Sequence, residues 1–346
     1  MDLAEDLARI EGAAEHGLSG VALITRGGET VFAGAWGLAN RADGVPNTLA
    51  TRFGLASVTK MFTAVAVVDL ATRGRLDLHR PLVELLPPRR RPTTLRGDVT
   101  AHHLLCHCSG IADYFEEQTE TDYASLWARI PTYSVVSPAD VLPLFADLPS
   151  YRAPGLSFQY SNAGYVLLGL LIEEVAGAAY VDVVAERVLG PAGMTESGFF
   201  ALDEVRPRMA TGYLPPEEPA GMWRSNIFSL PAVGGPDGGL FASAGDLSRF
   251  LTAYDDGTLM PVAGRDLMLT PQWPQDVPGI WTGYGVHLYD WAPGRRERRF
   301  GHGGGDPGVE VLISRLPELD ANTVVLTNVP GSAGAIRDVL VAHVLS

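Results

Sequence analysis

Residues 54–70 read GLASVTKMFTAVAVVDL, and the rest of the chain is organised around them. Leu55, Met61, Phe62, Val65, Val67, Val68 and Leu70, with alanines between, leave no polar face. A helix that is apolar nearly all round is a buried one, so the pattern predicts a core helix from Ser57 to about Arg73, stopped at Gly74. Into this run falls Lys60, the only lysine of the chain; every other fixed positive charge is an arginine. Arginine does not lose its proton in a protein, whereas a desolvated ammonium does, so lysine is the residue suited to base chemistry. Ser57 and Lys60 stand at i and i+3, which places them on one helix face with Cβ atoms roughly 5–6 Å apart. At a helix N-terminus the dipole disfavours a cation and favours negative charge developing on the serine. The pair reads as a nucleophile and its base.

The chain has 346 residues, 46% of them hydrophobic and 19% charged, as in an ordinary globular enzyme. A net charge of −14 argues against nucleic acid or an anionic membrane as partner. The start, MDLAEDLARIEGAAEHG, has acids where a secretory signal has bases, and lacks an apolar segment. No window reaches bilayer length. A cytoplasmic location is the expectation. Cys106 and Cys108 are too close in sequence for a favourable disulfide.

The amphipathic N-terminal helix is followed by SGVALITRGGETVFAGAWGLA, two strands meeting at Gly27-Gly28. From about 75 to 275 helices and proline-rich loops dominate, among them SNAGYVLLGLLIEEVAG and SAGDLSRFLTAYDDG. Strands return late, as GYGVHLYDW, RRERRFGHGG, GVEVLISRL and NTVVLTNVP, before a helix from about Ala333. This is an α+β order. The expected fold is one antiparallel sheet of the N-terminal hairpin and the C-terminal strands, flanked by terminal helices, with a largely helical lobe inserted. The expected organisation is a single catalytic domain over 1–346, with a sheet lobe of 1–74 plus 276–346 and a mostly helical lobe of 75–275.

Two further stretches suit acyl chemistry. Tyr160-Ser161-Asn162 opens an apolar helix; a phenol can relay a proton, and an amide can hold a carbonyl or the lysine. Equally, Ser161 or Asn162 could simply cap that helix over a packed Tyr160. GHGGGDPG at 301–308 joins two predicted strands, where glycines permit close approach to backbone N–H groups able to bind an oxyanion. It also reads as an ordinary glycine-rich turn. GGPDGG at 234–239 matches neither a phosphate loop nor a dinucleotide fingerprint. There is no Gly-x-Ser-x-Gly elbow.

Ser57-Val-Thr-Lys60, Tyr160-Ser-Asn162 and His302-Gly-Gly304 stand in the order of the three motifs of the serine β-lactamase and penicillin-binding-protein-like superfamily. The chain resembles its class C β-lactamase, D-aminopeptidase and family VIII esterase branch. HHLLCHCSGIADY, YSNAGYVLLGLLIEEVAG, GGLFASAGDLSRF and GHGGGDPG are similar to family segments and extend the resemblance over nearly the whole chain. The resemblance implies an active site between sheet and helical lobe, with Ser57 acylated, Lys60 as its base, Tyr160 relaying a proton to the leaving group and Asn162 bonding substrate or lysine. The backbone N–H groups of Ser57 and Gly305 would form the oxyanion hole, with Gly303 and Gly304 in the substrate cleft. No cofactor or metal is implied, although His103 and His107 lie four apart in HHLLCHC.

Where many relatives have Lys-Thr-Gly, this chain has His302-Gly303-Gly304. A histidine is mostly neutral at pH 7, and Gly303 has no hydroxyl. That turns the expectation from carboxylate-bearing substrates towards small neutral esters or amides, unless Arg296 and Arg298, of the same strand parity as His302, restore the charge. The expected function is a serine hydrolase or acyltransferase acting through an acyl-Ser57 intermediate. The alternatives are a D-specific peptidase or β-lactamase, and a penicillin-binding-like module that only binds.

Overall fold

A computed structural model describes residues 3–116, 123–128, 130–216, 221–275 and 277–346. Asp276, where the sheet lobe is expected to resume, lies outside the described residues. Strands β1 (Gly20–Arg26) and β2 (Glu29–Trp36) form the N-terminal hairpin. Gly27 and Gly28 turn it at φ 57° and 81°, as the tight turn that matches strand twist requires. Six C-terminal strands complete the sheet: β3 (Trp273–Pro274), β4 (Ile280–Thr282), β5 (His287–Tyr289), β6 (Arg299–Asp306), β7 (Val309–Leu316) and β8 (Ala321–Thr327). The order across it is β2-β1-β8-β7-β6-β5-β4-β3, with every neighbouring pair antiparallel.

β1 reads as a near-continuous apolar run, and β8 carries Val324-Val325-Leu326, because both strands are covered on both faces. Val21, Leu23, Val324 and Leu326 belong to the main core, while Ala22, Ile24, Ala321 and Val325 belong to a second cluster. The second cluster is built with helix α1 (Leu3–Ala13) and the C-terminal helix α6 (Ala333–Leu345). On the main-core face lies α2 (Thr59–Thr72), buried from Thr59 to Leu70. Around it pack α3 (Ala101–Leu105), α4 (Asn162–Ala176) and α5 (Ala244–Asp255). Gly74, at φ 71°, ends the α2 segment. Among the described residues no helix is long and apolar enough to cross a membrane.

Three details differ from the sequence reading. Ser57 lies in a single 3₁₀ turn, Ala56–Val58, that leads into α2, not in the α-helix itself. The glycine run after His302 is strand as far as Asp306, and only Pro307 and Gly308 turn. Its glycines serve close packing: a Cβ on Gly301 would collide with the Ile313 carbonyl, and one on Gly304 would stand 2.5 Å from the Leu55 carbonyl. β6 also begins only at Arg299, so Arg296 and Arg298 precede it. Arg298 pairs with Glu318 at 2.8 Å and lies over the Trp291 ring, so it does not sit beside His302 as strand parity suggested.

Candidate active site

The turn before α2 sets the geometry. Ala56 adopts φ 45°, a left-handed conformation costing about 1–3 kcal/mol that persists only where surroundings enforce it. Here Gly304 of β6 presses against the turn: a Cβ at 304 would be 3.0 Å from the Ser57 nitrogen. Ser57 is half-buried and opens onto a cleft. Lys60 is fully buried. Its Nζ donates to Ser57 Oγ at 2.9 Å, to Asn162 Oδ1 at 2.7 Å and to the Asp237 carbonyl at 2.6 Å. None of these three acceptors is a carboxylate. The Tyr160 ring centroid lies 4.9 Å from the same nitrogen.

Asn162 is the first residue of α4, and Ser161 caps that helix by accepting the Gly164 N–H at 3.0 Å. In this segment the serine caps the helix and the asparagine faces the lysine. Asp113 secures the helix start by accepting the N–H groups of Asn162 at 2.6 Å and Ala163 at 3.0 Å. Burial raises its carboxyl to about 7, against the pull of those N–H donors. His107 stacks on Tyr160 with centroids 4.5 Å apart, and its Nδ1 accepts the Ser161 N–H at 3.0 Å. Burial holds its pKa well below the usual 6.5, so His107 is a neutral imidazole protonated on Nε2. Asp113 and His107 thus clamp the Tyr160–Asn162 segment from behind. The sequence reading passed over Asp113 and weighed His107 only as a possible metal ligand with His103, although each lies within the HHLLCHCSGIADY segment it singled out.

His302 is buried, with Nδ1 donating to the neighbouring Gly303 carbonyl and its ring 4.5 Å from that of His287. Burial first, then the nearby His287 and Lys60, holds its pKa well below the usual value. It supplies no cation. Of this strand, Gly305 and Asp306 border the cleft. Gly303 and Gly304, expected to line it, do not: Gly304 is covered by the Leu55–Ser57 turn, and a Cβ on Gly303 would touch Leu312. His103 closes a capping box with Thr100, and His107 lies under Tyr160. Among the described residues no group of His, Cys, Asp or Glu could hold a metal ion.

The cleft encloses about 660 Å³, with Ser57 and Asn162 among its lining residues and walls that include Trp127, Phe200 and Phe241. Its most important wall was not foreseen. The GGPDGG segment folds back on itself, Gly234 against Gly239 too closely for a Cβ, and so brings the Asp237 carbonyl to Lys60 and the Asp237 carboxylate to the Tyr114 hydroxyl. The paired glycines were the signal: they mark close backbone contact, not phosphate binding.

The family described as Beta-lactamase matches residues 6–346. A crystal structure of a penicillin-binding protein from Bacillus halodurans superposes with a TM-score of 0.89 at 34% identity, covering 99% of both chains. Esterase EstB of Burkholderia gladioli is 32% identical over 303 residues, 77% of this chain and 76% of that one. A D-aminopeptidase of Brucella anthropi is 26% identical over 323 residues, which are 92% of this chain and 58% of the relative.

Proposed function

Because this chain belongs to the beta-lactamase family, a family of serine hydrolases, we propose that it cleaves small esters or neutral amides through an acyl-Ser57 intermediate. The observation that carries the reading is the buried Lys60 amine 2.9 Å from Ser57 Oγ, held from behind by Asn162 and the Asp237 carbonyl. With the amine neutral, the same contact reverses and Ser57 donates to Nζ. As Oγ attacks the substrate carbonyl, its proton passes to Lys60, and the oxyanion takes the backbone N–H groups of Ser57 and Gly305. Tyr160 returns a proton to the leaving alcohol or amine as the carbonyl re-forms. A water, alcohol or amine then attacks the acyl-serine, losing its proton to the same basic groups, and Ser57 is regenerated. Residues 1–346 act in this reading as one catalytic unit, whose sheet lobe resumes with β3 at Trp273–Pro274, ahead of the expected boundary at 276.

The D-peptidase alternative draws support from the D-aminopeptidase relative. It needs a cation for the substrate carboxylate, and His302 is held neutral. The binding-only alternative leaves the Ser57–Lys60 contact without a use. A fluorophosphonate should add once, at Ser57, and p-nitrophenyl butyrate should be turned over. Ser57→Ala should remove both. Labelling that persists in the variant, on Ser109 for example, would show that another serine reacts.

A further inference from the structure

Asp237 has two acceptors of different kinds, and the fold sends them to different donors. Its carbonyl takes Lys60 Nζ at 2.6 Å, and its carboxylate takes the Tyr114 hydroxyl. The loop backbone has anchors of its own. Thr63 of α2 donates through Oγ1 to the Pro236 carbonyl at 2.6 Å, and the Gly235 N–H donates to the Gly238 carbonyl at 2.7 Å. Pro236 also packs on Gly169 of α4, where a Cβ would stand only 2.0 Å from its ring. Tyr114 therefore holds the Asp237 side chain in a loop that other contacts already fix. Burial first, and then the Asp237 charge, pushes the Tyr114 phenol well above its usual range, so it stays a donor.

The two acceptors act on an amine in opposite ways. A neutral amine keeps two N–H groups, which serve Asn162 Oδ1 and the Asp237 carbonyl, and leaves its lone pair facing Ser57. A carboxylate in the place of that carbonyl would favour the ammonium, whose nitrogen has no lone pair to give. Lys60 is faced by other titratable groups as well. Tyr160 and Tyr165 present their rings, with centroids 4.9 and 5.7 Å from Nζ. His107, His287 and His302 are kept neutral by burial. Asp113, the chain neighbour of Tyr114, is raised by burial to about 7 and is held by the Asn162 and Ala163 N–H groups. Residues 113 and 114 thus secure, side by side, the two groups that flank the lysine from behind.

Resting on the reading of Lys60 as the base for Ser57, we propose that Tyr114 is a positioning residue: its hydroxyl keeps the Asp237 carboxylate turned from Lys60, so that this residue offers the amine its carbonyl alone. Tyr114 exchanges no proton with substrate in this role, and no step of the acyl transfer changes.

The pH profile of acylation tests this. Tyr114→Phe removes only the hydroxyl. The freed carboxylate then turns to the lysine, and the pH at which acylation by p-nitrophenyl butyrate reaches half its plateau should rise by about one unit or more, the lower bound for an opposite charge brought beside a titrating group. Below that pH the variant should acylate about tenfold more slowly, and at higher pH the rate should recover. A merely structural role would lower the rate at every pH. In the Asp237→Asn background the carbonyl remains and the charge is gone, so adding Tyr114→Phe should leave the half-plateau pH unmoved. No rise in Tyr114→Phe, or an equal rise in both backgrounds, would overturn the proposal. Lys60 can also be read without turnover. It is the only lysine of the chain, so protein grown on isotope-labelled lysine gives a single ε-methylene NMR signal, whose titration midpoint should rise in Tyr114→Phe and not in Tyr114→Phe/Asp237→Asn. Absence of ester cleavage in wild type together with that rise would strike the acyl-serine reading alone. Ester cleavage with an unmoved midpoint would strike the Tyr114 assignment alone.

Discussion

The inner and outer halves of the cleft are built by opposite means. On the inner side, Lys60 is 0% exposed and Asn162 5%, and both stand at the starts of helices whose other residues fill the core. On the outer side, Phe228 is 81% exposed, Tyr133 78% and Val136 56%, beside the lining residues Ser229, Leu230, Val135 and Ser137. Moving an inner residue displaces packed Val, Leu and Phe side chains, each worth about 1.5–3 kcal/mol of burial. Moving an outer one displaces mostly water. Reactive groups that must be in place before the substrate arrives are therefore set by the core, and the shape that chooses a substrate is left to segments that can vary without unfolding the protein.

The sharpest way to break this contrast is Lys60→Arg. The guanidinium keeps the charge and much of the reach but cannot accept a proton. If Lys60 is the base, the acylation rate measured from the p-nitrophenol burst should fall by at least ~10²-fold. A variant that folds normally and acylates within a few-fold of wild type would reduce the lysine to a structural charge.

Asp113 tests whether the inner half depends on what lies behind it. Its carboxyl, 3.8 in ordinary surroundings, is raised to about 7 by burial. The folded state therefore holds a proton that the unfolded chain has lost between about pH 4 and 7, and this contribution to stability disappears as pH rises through that window. Asp113→Asn keeps one carbonyl acceptor for the helix start and cannot ionise. Urea unfolding at pH 5 and pH 8 should show wild type losing ~1–4 kcal/mol relative to the variant on going to the higher pH. An equal gap at both pH values would show that Asp113 does not titrate there.

Gly304 sits where β6 meets the turn before α2. A methyl group there would push on the Leu55 carbonyl and the Ser57 nitrogen, whereas one on Gly305 meets nothing within 4 Å. Gly304→Ala should lower kcat by roughly 10–10²-fold with KM little changed, below the full cost of a lost oxyanion donor. Gly305→Ala should cost less than Gly304→Ala. The reverse order would mean that the turn before α2 can shift freely and that its φ of 45° at Ala56 is not imposed by β6.

The inner half was also the half legible in the sequence. A lone lysine in an apolar run, three residues after a serine, announces burial and proximity because helix periodicity fixes both. The sheet followed from the hairpin signal at Gly27-Gly28 and from the strand stretches that return late in the chain. What escaped was carried by backbone. Asp237 acts on Lys60 through its carbonyl, which any residue type would offer, and His302–Gly305 form strand where glycines suggested a turn. His107 and Asp113 were hidden for another reason. Each supports a segment some 50 residues away, a separation that no local pattern spans.

The smallest expected effect lies at the rim. Phe228 immediately precedes the lining residues Ser229 and Leu230, and its segment is pinned rather than free: the Ser229 N–H donates to the Asn226 carbonyl at 2.8 Å, and the Trp127 indole donates to the Ser229 carbonyl at 2.9 Å. A long acyl chain leaving the cleft on this side would cover part of the ring. Covering roughly 40 Å² at about 25 cal/mol per Å² gives ~1 kcal/mol, or about fivefold in affinity. Phe228→Ser should therefore raise KM for a p-nitrophenyl decanoate by about that factor, leave the acetate unchanged, and shift stability by less than about 0.5 kcal/mol, as for an exposed substitution. An unchanged ratio between the two esters would place the acyl path elsewhere. A fall in kcat on the acetate would be more damaging, because the acetyl group is too short to reach the rim. It would mean that the exposed wall and the buried chemistry are coupled after all.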